Sequence, residues 1–480
     1  MKEQLLSTLF ESWAHESCQS IEALPQSGSC REYFRLSGPK QTAVGVYHTE
    51  FKENQAFLGF TRHFLEKGLP VPKIYGENLS QNVYLLEDLG DQTLFADLMK
   101  KRINGHFPDE VEKRYQQALE QLVRFQVEGG EGLDYSLCYP RDSFDQQSMM
   151  WDLNYFKYYF LKLTKVPFDE QALEDDFHRF SNFLLQAEHS FFLYRDFQAR
   201  NIMLHNDQPY FIDYQGGRRG ALQYDLASLL YQAKANLPGE TREKLLGHYL
   251  DALSNITSVD RETFIQFYYG YVLMRTIQVL GAYGFRGFYE RKSHFLESIP
   301  FAIRNLDEIM GKLNMPVKLP ALMGAMEQII NNQSLTQLGQ VDEKNQSLKV
   351  QITSFSYKKG VPVDESEHGG GFVFDCRSIH NPGRYDEYKR LTGRDESVKH
   401  FLQKEPDMTA FLTNVFALVD ASVEKYLSRG FTHLCVNFGC TGGQHRSVYS
   451  ADRLAEHLEK KYGVSIDLTH IEQERKGWVN

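Results

Sequence analysis

The middle of the chain holds a carboxylate, an amide and a second carboxylate at short spacing. Four residues separate Asp196 from Asn201, and Asp213 ends the apolar segment that follows. Phosphoryl transfer from ATP to a hydroxyl needs a carboxylate that accepts the hydroxyl proton, and it needs oxygen ligands that hold Mg²⁺ on the phosphates. The spacing therefore predicts Asp196 as catalytic base, Asn201 and Asp213 as metal ligands, and ATP and Mg²⁺ as cofactors.

The flanking sequence favours this interpretation over a chance turn. Asp and Asn are common in turns, so the Asp-x-x-x-x-Asn spacing alone is also typical of a plain hairpin loop. Here Arg195 precedes Asp196, the apolar segment 202–204 follows Asn201, and 223–230 is predicted to be a helix behind the loop. Asp225 in that helix is predicted to accept backbone N–H groups and to brace the loop, which is a structural role.

Two other segments are candidates for contact with ATP. The polar turn 26–31 lies between two predicted strands, and its N–H groups could lie over phosphates beside Ser29 and Arg31. The alternative is an ordinary hairpin turn. A strand that starts at Val83 runs into a polar linker, where Glu87 and Leu89 could offer main-chain groups to adenine. An edge strand that leaves a sheet would have the same residues.

Apolar residues recur at helical spacing through much of the chain. Residues 1–24 are predicted to form an amphipathic helix. Five further segments are predicted to be helices with the same spacing: 53–67, 110–127, 171–189, 240–253 and 263–283. The catalytic segment 194–213 lies among them as loop and hairpin. Residues 149–156 are either a core helix or, through Trp151 and Asp152, a contact with the acceptor substrate.

A second unit is predicted after the polar segment 336–347, which has the composition of an interdomain linker. Its strands are predicted at 350–355, 372–375 and 434–438. Its helices are predicted at 397–402, 409–427 and 447–462. Strands that alternate with helices indicate a small α/β sandwich with a mainly parallel sheet.

The segment 439–447 of this unit has the residues of an anion site. It follows a strand and opens a helix, so small residues, a helix N-terminus and Arg446 converge. Five residues separate Cys440 from Arg446, the spacing of a phosphatase loop in which a thiolate attacks phosphate. Two alternatives remain beside phosphate binding: a catalytic thiol, and a tight turn that binds nothing.

Composition narrows the classes of function. The chain has 480 residues and a net charge of −10, so no overall basic field attracts nucleic acid. No apolar run reaches the roughly 18 residues of a membrane span, and the N-terminus lacks the apolar core of a secretion signal. The six cysteines form no Cys-x-x-Cys pair, which indicates neither zinc nor disulfides. We expect a cytoplasmic protein with no membrane partner.

The first part of the chain resembles a known kinase family. Residues 1–335 are similar to the aminoglycoside phosphotransferase (APH)/choline kinase-like family. Within it, the segments 212–215, 223–230 and 29–36 are most similar to the anomeric N-acetylmuramate/N-acetylglucosamine kinases of cell-wall recycling. These enzymes phosphorylate the C1 hydroxyl of the sugar with ATP.

The resemblance implies a fold and an activity. The fold is α+β, of the two-lobed protein-kinase type, with an N-lobe at 1–90 and a C-lobe at 91–335. The expected acceptor is an amino sugar, and the family assigns the same roles to the loop residues: Asp196 as base, Asn201 and Asp213 as metal ligands.

One position departs from the wider family. Many members carry a Lys on the third strand to hold the α- and β-phosphates, and the corresponding strand here, 43–47, has none. The sugar-kinase subgroup also lacks this Lys, so the departure favours the subgroup over an inactive enzyme. Arg31, Arg35 or Lys52 could take its place, and the sequence does not rank them.

The second unit, 348–480, resembles the C-terminal domain of the RNase adapter RapZ. The matching segments are 354–360, 374–377, 381–382, 391–393 and 439–449. In that family the domain binds glucosamine 6-phosphate and takes part in small-RNA binding. The resemblance implies a sugar-phosphate pocket lined by eight residues in these motifs: Asp375, Arg377, Asn381, Thr441, Gly442, Gly443, His445 and Arg446.

RNA is the less supported partner. The second unit holds equal numbers of acidic and basic residues, whereas affinity for RNA depends on basic residues that neutralise phosphates. We therefore expect an amino-sugar kinase fused to a sugar-phosphate-binding domain. The alternative is a regulatory or RNA-adapter protein that senses an amino-sugar phosphate without catalysis.

Overall fold

The chain divides into two compact units, Met1–Gly339 and Gln340–Asn480. The computed structural model describes six ranges of the chain: 2–25, 31–102, 107–338, 348–362, 371–428 and 431–477. Ser29 and most of the proposed linker 336–347 lie outside them. The boundary between the lobes at residue 90 stays a prediction.

The first unit begins with a helix and a five-stranded antiparallel sheet in the order β1-β2-β3-β5-β4. The strands are β1 (Ser20–Ala23), β2 (Glu32–Ser37), β3 (Thr42–Tyr47), β4 (Ile74–Asn78) and β5 (Val83–Leu86). Helix α1 (Lys2–Ala14) precedes them, and α2 (Phe51–Glu66) lies between β3 and β4.

The two helices cover opposite faces of this sheet, because side chains alternate along each strand. On one face, Leu6 and Phe10 of α1 pack with Leu36 of β2 in a closed core. On the other, Phe57 of α2 stacks on Tyr84 of β5, with ring centroids 5.6 Å apart. The predicted helix 1–24 is thus wrong in its second half, where β1 forms the edge of the sheet.

The rest of the first unit is mostly helical. Its helices and strands are α3 (Leu94–Lys101), α4 (Asp109–Gln126), α5 (Gln146–Phe156), α6 (Glu170–Leu184), β6 (Phe191–Leu193), β7 (Ile202–His205), β8 (Gln208–Phe211), β9 (Arg218–Gly220), α7 (Leu222–Leu230), α8 (Gly239–Ser254), α9 (Arg261–Tyr283), α10 (Ser293–Leu296), α11 (Ile299–Met310), α12 (Pro320–Ile330) and α13 (Gln333–Thr336). Two short antiparallel pairs, β6–β9 and β7–β8, hold the catalytic segment.

The second unit is an α/β domain with a four-stranded sheet in the order β11-β12-β10-β13. Its elements are β10 (Lys349–Ser356), β11 (Phe372–Asp375), α14 (Glu396–Lys404), α15 (Pro406–Ser428), β12 (His433–Cys440), α16 (Arg446–Tyr462), β13 (Ser465–His470) and α17 (Ile471–Lys476). Each described strand pair is parallel. The expected fold class of both units is confirmed, while β13 was not predicted.

Candidate functional site

The catalytic loop runs from β6 to β7, and the β7–β8 hairpin closes it. Asn201 links its ends: its Nδ2 donates to the carbonyl oxygen of Asp196 at 2.9 Å and to Oδ2 of Asp213 at 3.1 Å. The carbonyl oxygen of Asn201 accepts the N–H of Ile212 at 3.1 Å. The structure therefore brings the predicted base and both predicted metal ligands into one hydrogen-bonded group.

Asp196 faces solvent beside a cavity. Its side chain is 45% exposed, and Nη2 of Arg275 lies 3.5 Å from its Oδ1. The cavity measures about 110 Å³ and includes Asp196, Arg200, Gln278 and Tyr283 in its lining. A carboxylate at the wall of a cavity lined by both polar and apolar side chains is placed to bond the hydroxyl of an acceptor molecule.

The backbone of the loop is braced from behind by Asp225, as the sequence predicted. Its two carboxylate oxygens accept the N–H groups of Tyr194 at 2.7 Å and Arg195 at 3.0 Å. Burial raises the pKa of Asp225 to about 7, although both hydrogen bonds act in the opposite direction. Arg195 has φ +82°, a rare value for a residue with a side chain, so the loop depends on this support.

Helix α5 holds the other side of the loop. Oδ1 of Asp152 accepts Nη2 of Arg195 at 2.8 Å, and the Arg195 guanidinium stacks on Phe144 and Tyr224 at 4.9 and 5.3 Å. Met149, Met150, Leu153 and Phe156 of the helix are buried, as the core-helix interpretation requires, whereas Trp151 is 47% exposed. Asp152 acts on the loop through Arg195, and neither it nor Trp151 lines the described cavity.

The groups at Asn201 and Asp213 fit a hard divalent cation. Burial, and then the charge of Asp196, raise the pKa of the Asp213 carboxyl, so a cation beside it would relieve the cost of its charge. Nδ2 of Asn201 is used within the loop, which leaves Oδ1 as its ligand atom. No group of three His, Cys, Asp or Glu that could hold a metal occurs among the described residues, so phosphate and water oxygens would complete the shell.

The structure separates the three candidates for the missing Lys. Arg35 is held by Asp88, with Nε 2.7 Å from Oδ2, and by Asp91. Lys52 is exposed on the first turn of α2. Arg31 alone among the three is buried, at 2% exposure of its side chain.

Arg31 also has the partner expected of a phosphate-binding cation. Its Nη2 lies 3.4 Å from Oε2 of Glu53 on α2, and Nε2 of His48 lies 3.0 Å from the same oxygen. Its charge lowers the pKa of the Asp213 carboxyl, against the effect of burial. The ion pair between Arg31, just before β2, and Glu53 of α2 therefore lies close to Asp213, one of the two predicted metal ligands.

The segment after β5 joins the sheet to the catalytic hairpin. The N–H of Glu87 donates to the carbonyl oxygen of Lys73 at 2.9 Å, and the carbonyl oxygen of Leu89 accepts Nδ1 of His205 at 3.3 Å. This is the position at which an adenine ring would meet main-chain groups. The contacts of Glu87 and Leu89 with ATP stay predictions, as does that of Ser29.

In the second unit, the loop from Cys440 to Arg446 joins β12 to α16. Gly443 has φ +65°, and a Cβ there would lie 2.6 Å from Cγ of Glu472 and 3.0 Å from the Ser356 nitrogen. A Cβ on Gly442 would meet no atom within 4 Å. The loop therefore needs glycine at 443 for its shape, while 442 leaves open space above the loop.

Cys440 lies under this loop. The thiol is 3% exposed, its Sγ accepts the N–H of Gly443 at 3.2 Å, and it lies 3.1 Å from Oγ of Ser447. Burial raises the pKa of the thiol, but hydrogen bonds from Ser447 and Gln444 and the charge of Arg446 outweigh it, and the net pKa is lowered. The sulfur of Cys440 is thus hydrogen-bonded within the loop.

Arg446 and His445 hold neighbouring backbone. Nη1 of Arg446 donates to the carbonyl oxygens of Arg377 at 3.0 Å and Ile379 at 2.6 Å, and Nε2 of His445 lies 2.9 Å from the carbonyl oxygen of Tyr388. Burial lowers the pKa of His445. These bonds tie the segment after β11 to the loop.

Asp375, Arg377 and Asn381 lie on that segment. Nη2 of Arg377 is 2.7 Å from Oδ2 of Asp375, and its guanidinium stacks on the ring of Tyr357 at 4.0 Å. Oδ1 of Asn381 accepts the N–H of Gly383 at 3.1 Å, while Oγ of Ser356 donates to the carbonyl oxygen of Thr441 at 2.8 Å. The eight predicted residues thus form one neighbourhood, linked through Arg446 and His445.

Sequence reasoning missed Glu53 and Arg275. Glu53 is an acidic residue in the first turn of a helix, and Arg275 lies in a helix with a mostly buried sequence. Their partners are 22 and 79 residues away. No local spacing marks such pairs, so only the folded chain identifies them.

Two family models match the chain. One is described as the phosphotransferase enzyme family and matches residues 20–262. The other is described as the RapZ C-terminal domain and matches residues 348–474. Both resemblances are thereby confirmed, while the predicted outer bounds at residues 1 and 335 of the first unit stay predictions.

Curated relatives share a shorter part of the chain. A nucleotide-binding protein of Dinoroseobacter shibae is 38% identical over 135 residues, which is 28% of this chain and 43% of the relative. A nucleotide-binding protein of Fervidobacterium nodosum is 37% identical over 134 residues, 28% of this chain and 46% of the relative. The chain spans less than half the length of these relatives.

Among solved structures, the chain is similar to two kinases. Choline kinase LicA from Streptococcus pneumoniae has 14% identity and a TM-score of 0.43, and the match covers 64% of this chain and 99% of that one. An ethanolamine kinase from Plasmodium vivax has 14% identity and a TM-score of 0.44, with 61% and 82% covered. At these values the similarity adds nothing to the assignment of the site.

Proposed function

The chain belongs to the phosphotransferase enzyme family, and we propose that it transfers the γ-phosphoryl group of ATP to a hydroxyl of a small amino sugar. The observation that carries this proposal is the position of Asp196, which is half-exposed at a cavity and is joined through Asn201 to Asp213. Asp196 accepts the proton of the acceptor hydroxyl. The hydroxyl oxygen forms a bond to the γ-phosphorus while the bond between that phosphorus and the terminal oxygen of the leaving ADP breaks.

The other residues hold the nucleotide. Asn201 and Asp213 would bind Mg²⁺, which neutralises charge on the phosphates when it is present. Arg31, positioned by Glu53, would take the role of the missing Lys on the α- and β-phosphates. Main-chain groups of Glu87 and Leu89 would contact adenine, and Ser29 would contact phosphate.

The proposed acceptor hydroxyl is the anomeric one of N-acetylmuramate or N-acetylglucosamine. The cavity offers side chains that suit a pyranose, with Arg200, Arg275 and Gln278 for its hydroxyl and amide groups and Tyr283 for its apolar face. Positive charge from two arginines also suits the carboxylate that distinguishes N-acetylmuramate. The protein would act in the cytoplasm.

The second unit is proposed to bind an amino-sugar phosphate. Main-chain N–H groups at Thr441 and Gly442 and the N-terminus of α16 would hold the phosphate, since loop N–H groups and helix N-termini are typical anion donors, while the N–H of Gly443 donates to Cys440. Asp375, Arg377, Asn381 and the ring of Tyr357 lie beside this loop and would contact the sugar. The matched relatives are named for nucleotide binding, so a nucleotide and a small RNA are the rival ligands here.

A sugar panel tests the kinase proposal. The full chain with ATP and Mg²⁺ is mixed with N-acetylmuramate, N-acetylglucosamine, glucosamine and choline, and ³¹P–¹H NMR identifies the carbon that carries new phosphate. We expect phosphate on C1 of an N-acetyl amino sugar, and a loss of about 10²–10⁴-fold in kcat for Asp196→Asn.

Two results would contradict the proposal. Unchanged turnover in Asp196→Asn would overturn the site, and phosphate on choline alone would overturn the acceptor. If no compound is phosphorylated while the second unit binds an amino-sugar phosphate by calorimetry, the protein is a non-catalytic sensor.

A further inference from the structure

The cavity beside Asp196 holds more positive than negative charge. Its lining includes two basic residues, Arg200 and Arg275, and Asp196 is the one acid among the described residues that form it. A ligand that fills a cavity removes water from the charged groups there, so the charge of the ligand should complement the charge of the lining. One cationic side chain of this lining is not balanced by a carboxylate of the lining itself.

Arg275 already has partners in the protein. Its Nε donates to Oγ of Ser228 at 3.0 Å, its Nη1 donates to Oε1 of Gln278, and its Nη2 lies 3.5 Å from Oδ1 of Asp196. The side chain is buried. The charge of Arg275 is therefore paired with Asp196, and each nitrogen of its guanidinium contacts another side chain.

Arg200 is the cation that is not balanced. It lines the cavity and is exposed, and its guanidinium makes no hydrogen bond or ion pair with any residue that the structure describes. Its backbone is nevertheless fixed, because the N–H of Ala199 donates to Oε1 of Gln232 at 2.9 Å, and Gln232 also lines the cavity. The turn therefore holds Arg200 at the wall with its N–H donors open to a ligand.

The guanidinium lies near the part of the cavity that the end of α9 forms. Burial raises the pKa of the Tyr283 hydroxyl, and the charge of Arg200 is the largest of the effects that oppose this. Apolar side chains line the cavity as well, among them Val279, Ala282 and Phe295. Because such charge effects weaken with distance, Arg200 and Tyr283 are close, and an anion carried on a short apolar group would suit this combination.

We propose that Arg200 is a specificity-determining residue, which binds a carboxylate carried by the acceptor. A guanidinium presents a planar pair of N–H donors that matches the two oxygens of a carboxylate. This inference rests on the proposed function and deepens it, because it favours N-acetylmuramate, whose lactyl ether ends in a carboxylate, over N-acetylglucosamine, which has no charge.

The γ-phosphoryl group of ATP is the other anion that could reach Arg200, because Arg200 directly precedes Asn201, a predicted metal ligand. The two anions differ in when they are present. The phosphoryl group accompanies every acceptor, whereas the carboxylate belongs to acidic acceptors alone. Loss of Arg200 would therefore slow the reaction of all acceptors equally in the first case, and would remove a preference among acceptors in the second.

Kinetics with three probes test the assignment. The full chain with ATP and Mg²⁺ is assayed with N-acetylmuramate, with its methyl ester and with N-acetylglucosamine; the ester keeps the lactyl group without its charge. We expect the KM of the ester to exceed that of the acid by about 5–30-fold, as one charged hydrogen bond at a site partly open to water provides. This ratio should fall to about 1 in Arg200→Met, and Arg200→Lys should keep part of it.

Arg304→Met is the matched control. Arg304 is exposed on α11, the helix that carries the cavity-lining Ala302 and Asn305, and its guanidinium lies 4.5 Å from the ring of Phe301. The variant removes an equal charge and should keep the KM ratio. Equal KM values for acid and ester in the wild type would overturn the assignment. So would an Arg200→Met variant that keeps the ratio, including one whose kcat falls equally with all three sugars.

Binding separates this inference from the kinase proposal. If no sugar is phosphorylated, the kinase proposal fails, and saturation-transfer NMR of the full chain with N-acetylmuramate then decides the inference alone. Transfer to the lactyl methyl group that Arg200→Met abolishes and Arg304→Met preserves would support it. No transfer, or transfer that Arg200→Met leaves unchanged, would contradict it.

Discussion

The molecule has two loops that follow a strand and carry a potential nucleophile or base, and they expose it differently. Asp196 is 45% exposed beside a cavity, whereas Cys440 is 3% exposed and its Sγ is occupied by Gly443 and Ser447. A reacting group must touch its substrate. The difference indicates chemistry at the first loop and binding through main-chain N–H groups at the second.

The arginines of the two loops differ in the same way. Arg275 lies 3.5 Å from the Asp196 carboxylate at the cavity. Arg446 donates to two backbone carbonyls, which fixes the segment after β11. On the proposed function, Arg275 would stand where charge moves during the reaction, whereas Arg446 maintains the shape of the backbone beside its loop.

The largest effect should come from the shape of the second loop. Gly443→Ala places a Cβ at φ +65° and within 2.6 Å of Glu472, and we expect it to destabilise the loop by about 2–4 kcal/mol. Hydrogen exchange of the β12–α16 peptides and calorimetry with glucosamine 6-phosphate measure this. Gly442→Ala, where a Cβ meets nothing, is the control; equal effects of both changes would refute the geometric argument.

The next largest effect should be on the KM for ATP at the first loop. Arg31→Met should raise KM for ATP by about 10–100-fold, as the loss of a charged hydrogen bond worth about 1.5–3 kcal/mol does. Lys52→Met removes an equal charge from the exposed start of α2 and should change KM less than twofold. A larger effect from Lys52→Met would assign the phosphates to Lys52. Neither variant should alter sugar-phosphate binding by the second unit.

A smaller effect is expected on the stability of the second unit when the pH is lowered. Burial lowers the pKa of His445 below its usual value of 6.5, so the folded state favours the neutral ring. The neutral His445 ring therefore contributes to the free energy of unfolding above about pH 6.5. This contribution is lost as the pH falls from the unfolded-state pKa through the lowered pKa of the folded state. Hydrogen exchange of the α16 peptides should show reduced protection at about pH 5 relative to about pH 7, and His445→Gln should diminish this loss. A His445→Gln variant with the full loss would place the titration elsewhere.

The smallest effect should come from the buried thiol. Cys440→Ser keeps a polar acceptor under the loop, so we expect the affinity for glucosamine 6-phosphate and the kinase kcat to change less than threefold. Intact mass after incubation with sugar phosphates should show no phosphate on Cys440. Covalent phosphate on this residue would show that the second loop is catalytic, and it would contradict the conclusion that this loop only binds its ligand.

Local pattern predicted much of both sites. Asp196, Asn201 and Asp213 lie within one loop and hairpin, and the segment from Cys440 to Arg446 is one strand-to-helix turn. Short spacing within a single connection constrains where such side chains can lie. The longer helices were found for a similar reason, because apolar residues at i, i+3 and i+4 define a buried face.

The predictions failed where pairing partners are distant. Strand β1 was taken as helix, and β13 was not foreseen, since a strand of four to six residues gains its stability from a neighbour elsewhere in the chain. For residues 149–156 the sequence favoured a core helix over a contact with the acceptor, but it did not indicate the partner of Asp152. Its ion pair from Asp152 to Arg195 spans 43 residues.

The sequence by itself predicted the residues of the candidate catalytic loop and of the candidate phosphate loop around Arg446, because each set lies within one short connection. It also predicted the brace at Asp225, although the hydrogen bonds of this brace span 30 and 31 residues. Only the tertiary structure decided that Arg31 is the buried cation beside Asp213, that Arg275 stands at Asp196, and that Cys440 is closed. Charge pairing and burial depend on which residues are close in space. For segments far apart in sequence, no periodicity of the sequence indicates that they come together.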